Sequence, residues 1–351
     1  MSVPFSVLDL APVVSGSTSA QALRNTLDLA RHTERLGFHR YWLAEHHAMP
    51  GIASSATAVL IGQVAAATTR LRVGSGGIML PNHAPMVVAE QFGTLEALYP
   101  GRIDLGLGRA PGTDQATARA LRRSPDALSV DDFPEQVVEL REYFGAESKV
   151  TPAAGNEPPV WLLGSSGYSA QLAAYLGLPF AFAHHFSSEN TLPALSLYRE
   201  SFRPSAVLER PYSMIAVSVT AADTDERARE LAAPQALSFL RLRQGTPGPL
   251  PSPEETASHP YTPLEREIIQ SRLDGQVMGG PETVRRQMDA LLERTAVDEV
   301  MVTTSVYEHA DRLRSYDLLA GLYGLENTDA PQDGASRNGV SQAESPSLTH
   351  G

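Results

Sequence analysis

The stretch Arg40-Tyr41-Trp42-Leu43-Ala44-Glu45-His46-His47 decides how the rest of the chain is read. Its first half is bulky and apolar, which suits a buried, pleated strand. Its second half delivers a carboxylate and two imidazoles in a row. Ionisable groups at the end of a buried strand face a ligand or satisfy one another, because unpaired polar groups are costly in apolar surroundings. If the strand belongs to a parallel barrel, its carboxyl end is where chemistry is done. Side chains alternate along a strand, so one of His46 and His47 is expected to face inward.

Outward from this strand, strand-like and helix-like segments alternate, the pattern of a parallel sheet with crossover helices. Strands are predicted at 5–10, 39–44, 71–77, 103–108, 159–163, 180–183, 212–221 and 299–304. Helical spacing of apolar residues falls between them, as at Leu23, Leu27, Ala30 and Leu36 before the stop at Gly37. Eight such units make an α/β chain with the count of a single (β/α)8 TIM barrel, expected over residues 1–325. Residues 110–132 read as irregular with short helical pieces. Residues 244–263, dense in proline, glycine and serine after the seventh strand, read as an insertion without regular structure that serves as a lid. The polar stretch 326–351 has no periodicity and is expected to be a disordered tail. The helix at 54–69 is rich in small residues, a surface that another subunit can approach closely.

Composition narrows the possibilities. Of 351 residues, 42% are hydrophobic and 19% charged, enough for one large core. There is no cysteine, hence no disulfide and no thiolate nucleophile or metal ligand. A formal charge of −12 without a basic run disfavours nucleic acid as a partner. No apolar run approaches the roughly 20 residues of a membrane span, and the amino terminus lacks a secretory pattern, so the expected location is the cytoplasm.

His46 has the titration range of a general base or proton donor, and Glu45 is adjacent to orient an imidazole; two satisfied histidines at a strand end are the plainer alternative. His46, His47, His83, His184 and His185 raise the question of zinc, but no HExxH motif is present and no metal is expected. The run from Gly106 to Gly112 has GxGxxxG spacing, one residue too long for a dinucleotide fingerprint. Arg109 within it suits a bidentate phosphate contact; alternatively it pairs with Asp104 or Asp114. Gly164-Ser165-Ser166-Gly167, leading into a helix, is a candidate anion cradle or an ordinary capped turn. Gly76-Gly77 permits either a wall against which a flat ring can lie or a tight turn.

Taken together, YWLAEHH (41–47), VGSGGIMLP (73–81), EQFGTLEALYPGRIDLGLGRAPG (90–112), LLGSSGYSAQLAAYLGLPFAFAHHF (162–186) and GGPETV (279–284) make the chain resemble the bacterial luciferase-like flavin monooxygenases over roughly residues 4–325. The resemblance implies a (β/α)8 barrel with FMN at the carboxyl ends of the strands. It implies that His46 handles protons, with Glu45 or a backbone group setting its tautomer. Arg109 would grip the FMN phosphate with Ser165 and Ser166 beside Gly164, and Gly76-Gly77 would be a non-proline cis peptide behind the flavin ring. The expected activity is that of a two-component monooxygenase. A separate reductase supplies reduced FMN, dioxygen forms a flavin peroxide adduct, and a small organic substrate is oxygenated. A deazaflavin-dependent oxidoreductase and a non-catalytic flavin-binding protein are the alternatives on this scaffold. The small-residue helix at 54–69 then suggests a homodimer.

Overall fold

The computed structural model describes residues 3–110, 115–122 and 132–325. The strands are β1 (Phe5–Asp9), β2 (Arg40–Leu43), β3 (Arg72–Ser75), β4 (Ile78–Met79), β5 (Ile103–Gly108), β6 (Val160–Gly164), β7 (Phe180–Phe182), β8 (Ser213–Ala221), β9 (Val277–Gly279) and β10 (Glu299–Thr303). Eight of them close a parallel ring, β1-β2-β3-β5-β6-β7-β8-β10, with β10 also paired to β1. This is the expected TIM barrel. The short β4 continues the line of β3 beyond Gly76-Gly77, which is a cis peptide as the family pattern implies, and β4 pairs with β5. The three-residue β9 lies against the far end of β8, a strand that the sequence pattern does not predict.

Helices wrap the ring. They are α1 (Ser19–Arg35), α2 (Thr57–Ala67), α3 (Pro85–Leu98), α4 (Gln115–Arg122), α5 (Phe133–Phe144), α6 (Gly167–Leu176), α7 (Thr191–Ser201), α8 (Asp225–Arg243), α9 (Pro253–Ser258), α10 (Pro263–Asp274), α11 (Pro281–Thr295) and α12 (His309–Tyr323). The segment 244–263 is not the structureless lid expected of it. Ser252 and Glu255 form a capping box that starts α9, and Thr262 with Glu265 does the same for α10. Both boxes were written in the sequence as Ser-Pro-Glu-Glu and Thr-Pro-Leu-Glu, with proline at the first helical position where its missing N–H costs nothing. The insertion is tied to other loops: Leu250 N donates to Val13 O at 2.8 Å and Ser15 N to Leu250 O at 2.8 Å. The stretch expected to be a disordered tail, 326–351, lies outside the described residues, as does most of 110–132.

Every residue of β1, β2 and β5 is buried, because helices cover one face and the barrel interior the other. That is why these strands are mostly apolar, broken only by the paired groups Ser6, Asp9, Arg40 and Asp104. The interior layer includes Leu8, Trp42, Trp161, Met214 and Met301, with Trp42 edge-on to Trp161 at 5.2 Å. Near the amino ends of the strands the fill becomes ionic. Arg40 donates to Asp104 at 2.8 Å and to Glu299 at 3.0 Å, while Arg72 reaches Asp104 at 2.6 Å. The Trp42 indole N–H also points to Asp104, at 3.1 Å. Burial works against the Arg40 charge, but the two carboxylates outweigh it and raise its pKa. A second buried pair, Asp9 with Arg312 at 2.7 Å, ties β1 to α12, and Thr26 and Tyr41 also donate to Asp9.

Candidate functional site

With one end of the barrel filled by tryptophans and ion pairs, the cavity lies at the carboxyl ends of the strands. It holds about 210 Å³ and opens to solvent at its mouth. Its floor is Trp42, Met214 and Met301, and its walls come from the strand ends that carry the candidate residues. His46, Gly76, Gly77, Arg109, Gly164, Ser165 and Ser166 all line it. Residues that span 120 positions of sequence, 46 to 166, are thus gathered around one volume.

The histidine pair divides as strand alternation requires. Trp42, Ala44 and His46 line the cavity, whereas Glu45 and His47 turn away into a separate cluster. His47 Nε2 and His83 Nε2 lie 2.8 and 2.7 Å from Glu45 Oε1, and Met79 N donates to Glu45 Oε2 at 3.2 Å. Burial pushes the Glu45 carboxyl up, but the hydrogen bonds from His47 and His83 outweigh it and hold it below the usual range. Glu45 therefore makes no hydrogen bond to His46, and the expectation that it sets the His46 tautomer is corrected. It orients His47 and His83 and braces the backbone at Met79, which lines the cavity. Glu45, His47 and His83 have their donor atoms within 4.8 Å of one another, a set from which a metal could be held. Both ring nitrogens nearest the carboxylate already share it as a hydrogen-bond partner.

His46 Nδ1 is buried and has no hydrogen-bond partner among the described residues. A buried polar atom left unmatched beside a cavity is the kind that a ligand completes. Burial depresses the pKa of the ring despite the opposing charge of Glu45, so His46 is neutral at pH 7 and able to accept a proton. The turn after it is unusual too: Ala48 adopts φ 53°, a left-handed conformation that a side chain disfavours.

Arg109 projects from the end of β5 with its guanidinium 4.0 Å from the centre of the Tyr168 ring. Of the alternative partners, Asp104 is occupied by Arg40 and Arg72, and Asp114 lies outside the described residues. Across the cavity wall, Ser166 caps α6 by backbone position without using its side chain. The hydroxyl and the first N–H groups of the helix are then available to an anion beside Arg109. Gly76 and Gly77 form a bare wall pressed against its neighbours. A Cβ on Gly76 would come within 2.6 Å of Leu8 Cδ1, and one on Gly77 within 2.7 Å of Gly106 O. No side chain protrudes there, so a flat ring can rest against the strand. A planar group with a phosphate tail matches this combination of bare wall, neutral imidazole and cationic cradle.

From sequence alone His184-His185 stand out only as metal candidates. His185 lines the cavity, and its Nδ1 lies 3.0 Å from Ala216 O. A carbonyl only accepts, so Nδ1 carries the hydrogen and Nε2 is left as an acceptor. Burial drives the His185 pKa down to about 4. Alternation along Phe182-Ala183-His184-His185 is the signal that distinguishes it, since Nδ1 of His184 engages Thr191 Oγ1 at 2.7 Å instead.

Comparison with known proteins agrees with this geometry. The family model described as luciferase-like monooxygenase matches residues 3–299. The chain is 55% identical to the Bacillus subtilis protein YvbT, over 91% of this chain and 96% of that one. It is 50% identical to an Escherichia coli protein named luciferase-like monooxygenase, over 90% and 96%. Among solved structures it resembles apo-MsnO8 with a TM-score of 0.85 at 39% identity, covering 92% of this chain and 99% of the other. More distant relatives include the N-acetyl-S-alkylcysteine monooxygenase of B. subtilis (32% identity, 91% and 97% covered). The oxygenase component of a flavin-dependent trigonelline monooxygenase from Acinetobacter baylyi is 26% identical, with 70% and 75% covered. The same fold occurs in the FMN complex of a Pseudomonas putida diketocamphane monooxygenase constituent (TM-score 0.69, 17% identity, 91% and 97% covered).

Proposed function

The chain belongs to the luciferase-like monooxygenase family, and from that premise we propose that it is the oxygenase component of a two-component FMN-dependent system. In this reading a separate reductase delivers reduced FMN. Bound reduced FMN would supply two electrons to dioxygen, the oxidant, so that one oxygen atom goes to a small organic substrate and the other leaves as water. The observation that carries the reading is the convergence of His46, Gly76-Gly77, Arg109 and Ser165-Ser166 on one cavity.

The roles follow from the surroundings of each group. Arg109, with Ser165, Ser166 and the first turn of α6, would hold the phosphate. Gly76 and Gly77 would back the ring, and the Trp42–Met214–Met301 floor would keep water from below. Neutral His46 would take and return a proton, its Nδ1 finding in the ligand the partner that the described residues do not supply. Glu45 acts as a positioning residue through Met79, not as a proton carrier. The insertion pinned to Val13 and Ser15 supports a shielding role over the mouth, because water at the flavin would divert oxidant to hydrogen peroxide.

A homodimer fits the same reading. Val59 on α2 and Leu98 on α3 are 66% and 65% exposed, and Met86 and Val87 join them on one side of the barrel. No helix among the described residues is long and apolar enough to cross a membrane. The proposed place of work is the cytoplasm, beside the reductase.

The testing experiment supplies a flavin reductase, a nicotinamide donor, FMN and oxygen-18 gas, and examines candidate thioether and carbonyl substrates by mass spectrometry. One labelled oxygen per product is expected. Substrate turnover without label, or turnover that continues anaerobically, would rule out the oxygenase reading.

A further inference from the structure

A second opening adjoins the flavin chamber and shares His185 and Phe186 with it. It lies between the end of β7, α8 and α10. Arg272, on α10, lies within it with its guanidinium 4.9 Å from the centre of the Phe239 ring, and Nη1 donates to His185 O at 2.6 Å. The rest of the guanidinium is unused. Nε is shut away from water with no hydrogen-bond partner, and Nη2 makes no hydrogen bond among the described residues. Neither Arg272 nor Arg243, which flanks the same ring at 5.9 Å, forms an ion pair among the described residues. Glu267 also lines the opening but pairs with neither arginine. Two uncompensated arginines beside an apolar ring stand out in a chain whose formal charge is −12.

We propose that this opening is the anion-binding half of the substrate site, and that Arg272 holds the carboxylate of a small acid whose apolar end passes Phe186 into the chamber. Nη2, which is not shut away and makes no hydrogen bond among the described residues, gives the opening a cationic N–H donor for a carboxylate oxygen. Burial lowers the Arg272 pKa, but from so high a starting value that the group stays cationic at any working pH. A half-buried cation without an ion pair is costly, and a bound anion lowers that cost. Phe186 is 63% exposed and borders both volumes, so it is placed to guide the apolar part across. The inference rests on the oxygenase reading for what happens to the acid, but not for its binding.

The test is equilibrium binding with two probes of equal shape, 3-phenylpropanoate and 3-phenylpropanamide, to wild type, Arg272→Gln, Arg272→Lys and Arg109→Ala. Wild type should bind the acid saturably and at least tenfold tighter than the amide. Arg272→Gln should abolish that preference, and Arg272→Lys should restore part of it and show that the fold is intact. Arg109→Ala should leave it unchanged. No saturable binding of the acid to wild type, equal binding of acid and amide, or a preference that survives Arg272→Gln overturns the proposal. Loss of the preference in Arg109→Ala with Arg272→Gln unaffected puts the anion in the phosphate cradle and overturns it as well. FMN affinity is measured on the same samples. If wild type fails to bind FMN while the acid preference holds, the oxygenase reading falls and the carboxylate site stands.

Discussion

Removing the Arg109 side chain tests the cradle without disturbing the barrel. The guanidinium lies past the end of β5 against Tyr168 and forms no ion pair among the described residues, so among them that stack is the interaction Arg109→Ala removes. One charge-assisted hydrogen bond contributes roughly 1.5–3 kcal/mol. FMN should then bind about ten- to a hundredfold more weakly. The stack on Tyr168 fixes the direction of the guanidinium and contributes about 0.5–1 kcal/mol at such a site. Tyr168→Ala should therefore cost about two- to fivefold by itself and add little once Arg109 is gone. The assay is fluorescence quenching of FMN and of riboflavin, which differ only in the phosphate. Arg109→Ala should lower FMN affinity and leave riboflavin where it was, so that the ratio of the two collapses. Equal weakening of both flavins would mean that Arg109 shapes the cavity instead of holding phosphate. No weakening of either would remove it from the site.

Four further outcomes follow from the buried groups. His46→Ala should keep FMN binding but turn over mostly to hydrogen peroxide, read by comparing peroxide with product; normal coupling would refute the proton role. Because burial depresses the His46 pKa, product formation should hold as pH falls through 6.5 and decline only below it; an acid limb above pH 7 would contradict this. His185 is protonated in the unfolded chain below about pH 6.5 but in the fold only below about 4. The unfolded state therefore binds the extra proton in that window, and stability should drop by about 3 kcal/mol from pH 6.5 to 4, a loss that His185→Phe abolishes in urea titrations if burial is the cause. Asp9→Ala leaves the Arg312 charge buried without its carboxylate, and should cost about 3–5 kcal/mol, whereas the paired replacement Asp9→Leu with Arg312→Met should recover much of it. Equal losses in the single and paired variants would show that the ion pair is not coupled.

The barrel was legible because its strands are buried on both faces and its helices on one, so period and burial coincide along the chain. The chamber was partly legible for a related reason: strand alternation sends His46 inward and Glu45 outward whatever lies nearby. What alternation does not show is the partner on the far side. Glu45 meets His83 across 38 positions, Arg40 meets Asp104 across 64 and Glu299 across 259, and nothing in local spacing reports such pairs. The insertion was misread because its proline and glycine content was weighed above its two capping boxes. Arg272 gave no sequence signal at all. Its interest arises from its having no ion pair among the described residues, a property of the folded surroundings.

The central claim is that the chamber takes FMN and leads its electrons to oxygen. Its most direct measurement is an anaerobic titration of the protein with reduced FMN and, in parallel, with the reduced deazaflavin, each followed by exposure to air in the presence of substrate. Saturable binding of reduced FMN, with oxygenated product on aeration and none from the deazaflavin, is predicted. Tight binding of the deazaflavin with FMN excluded would contradict it.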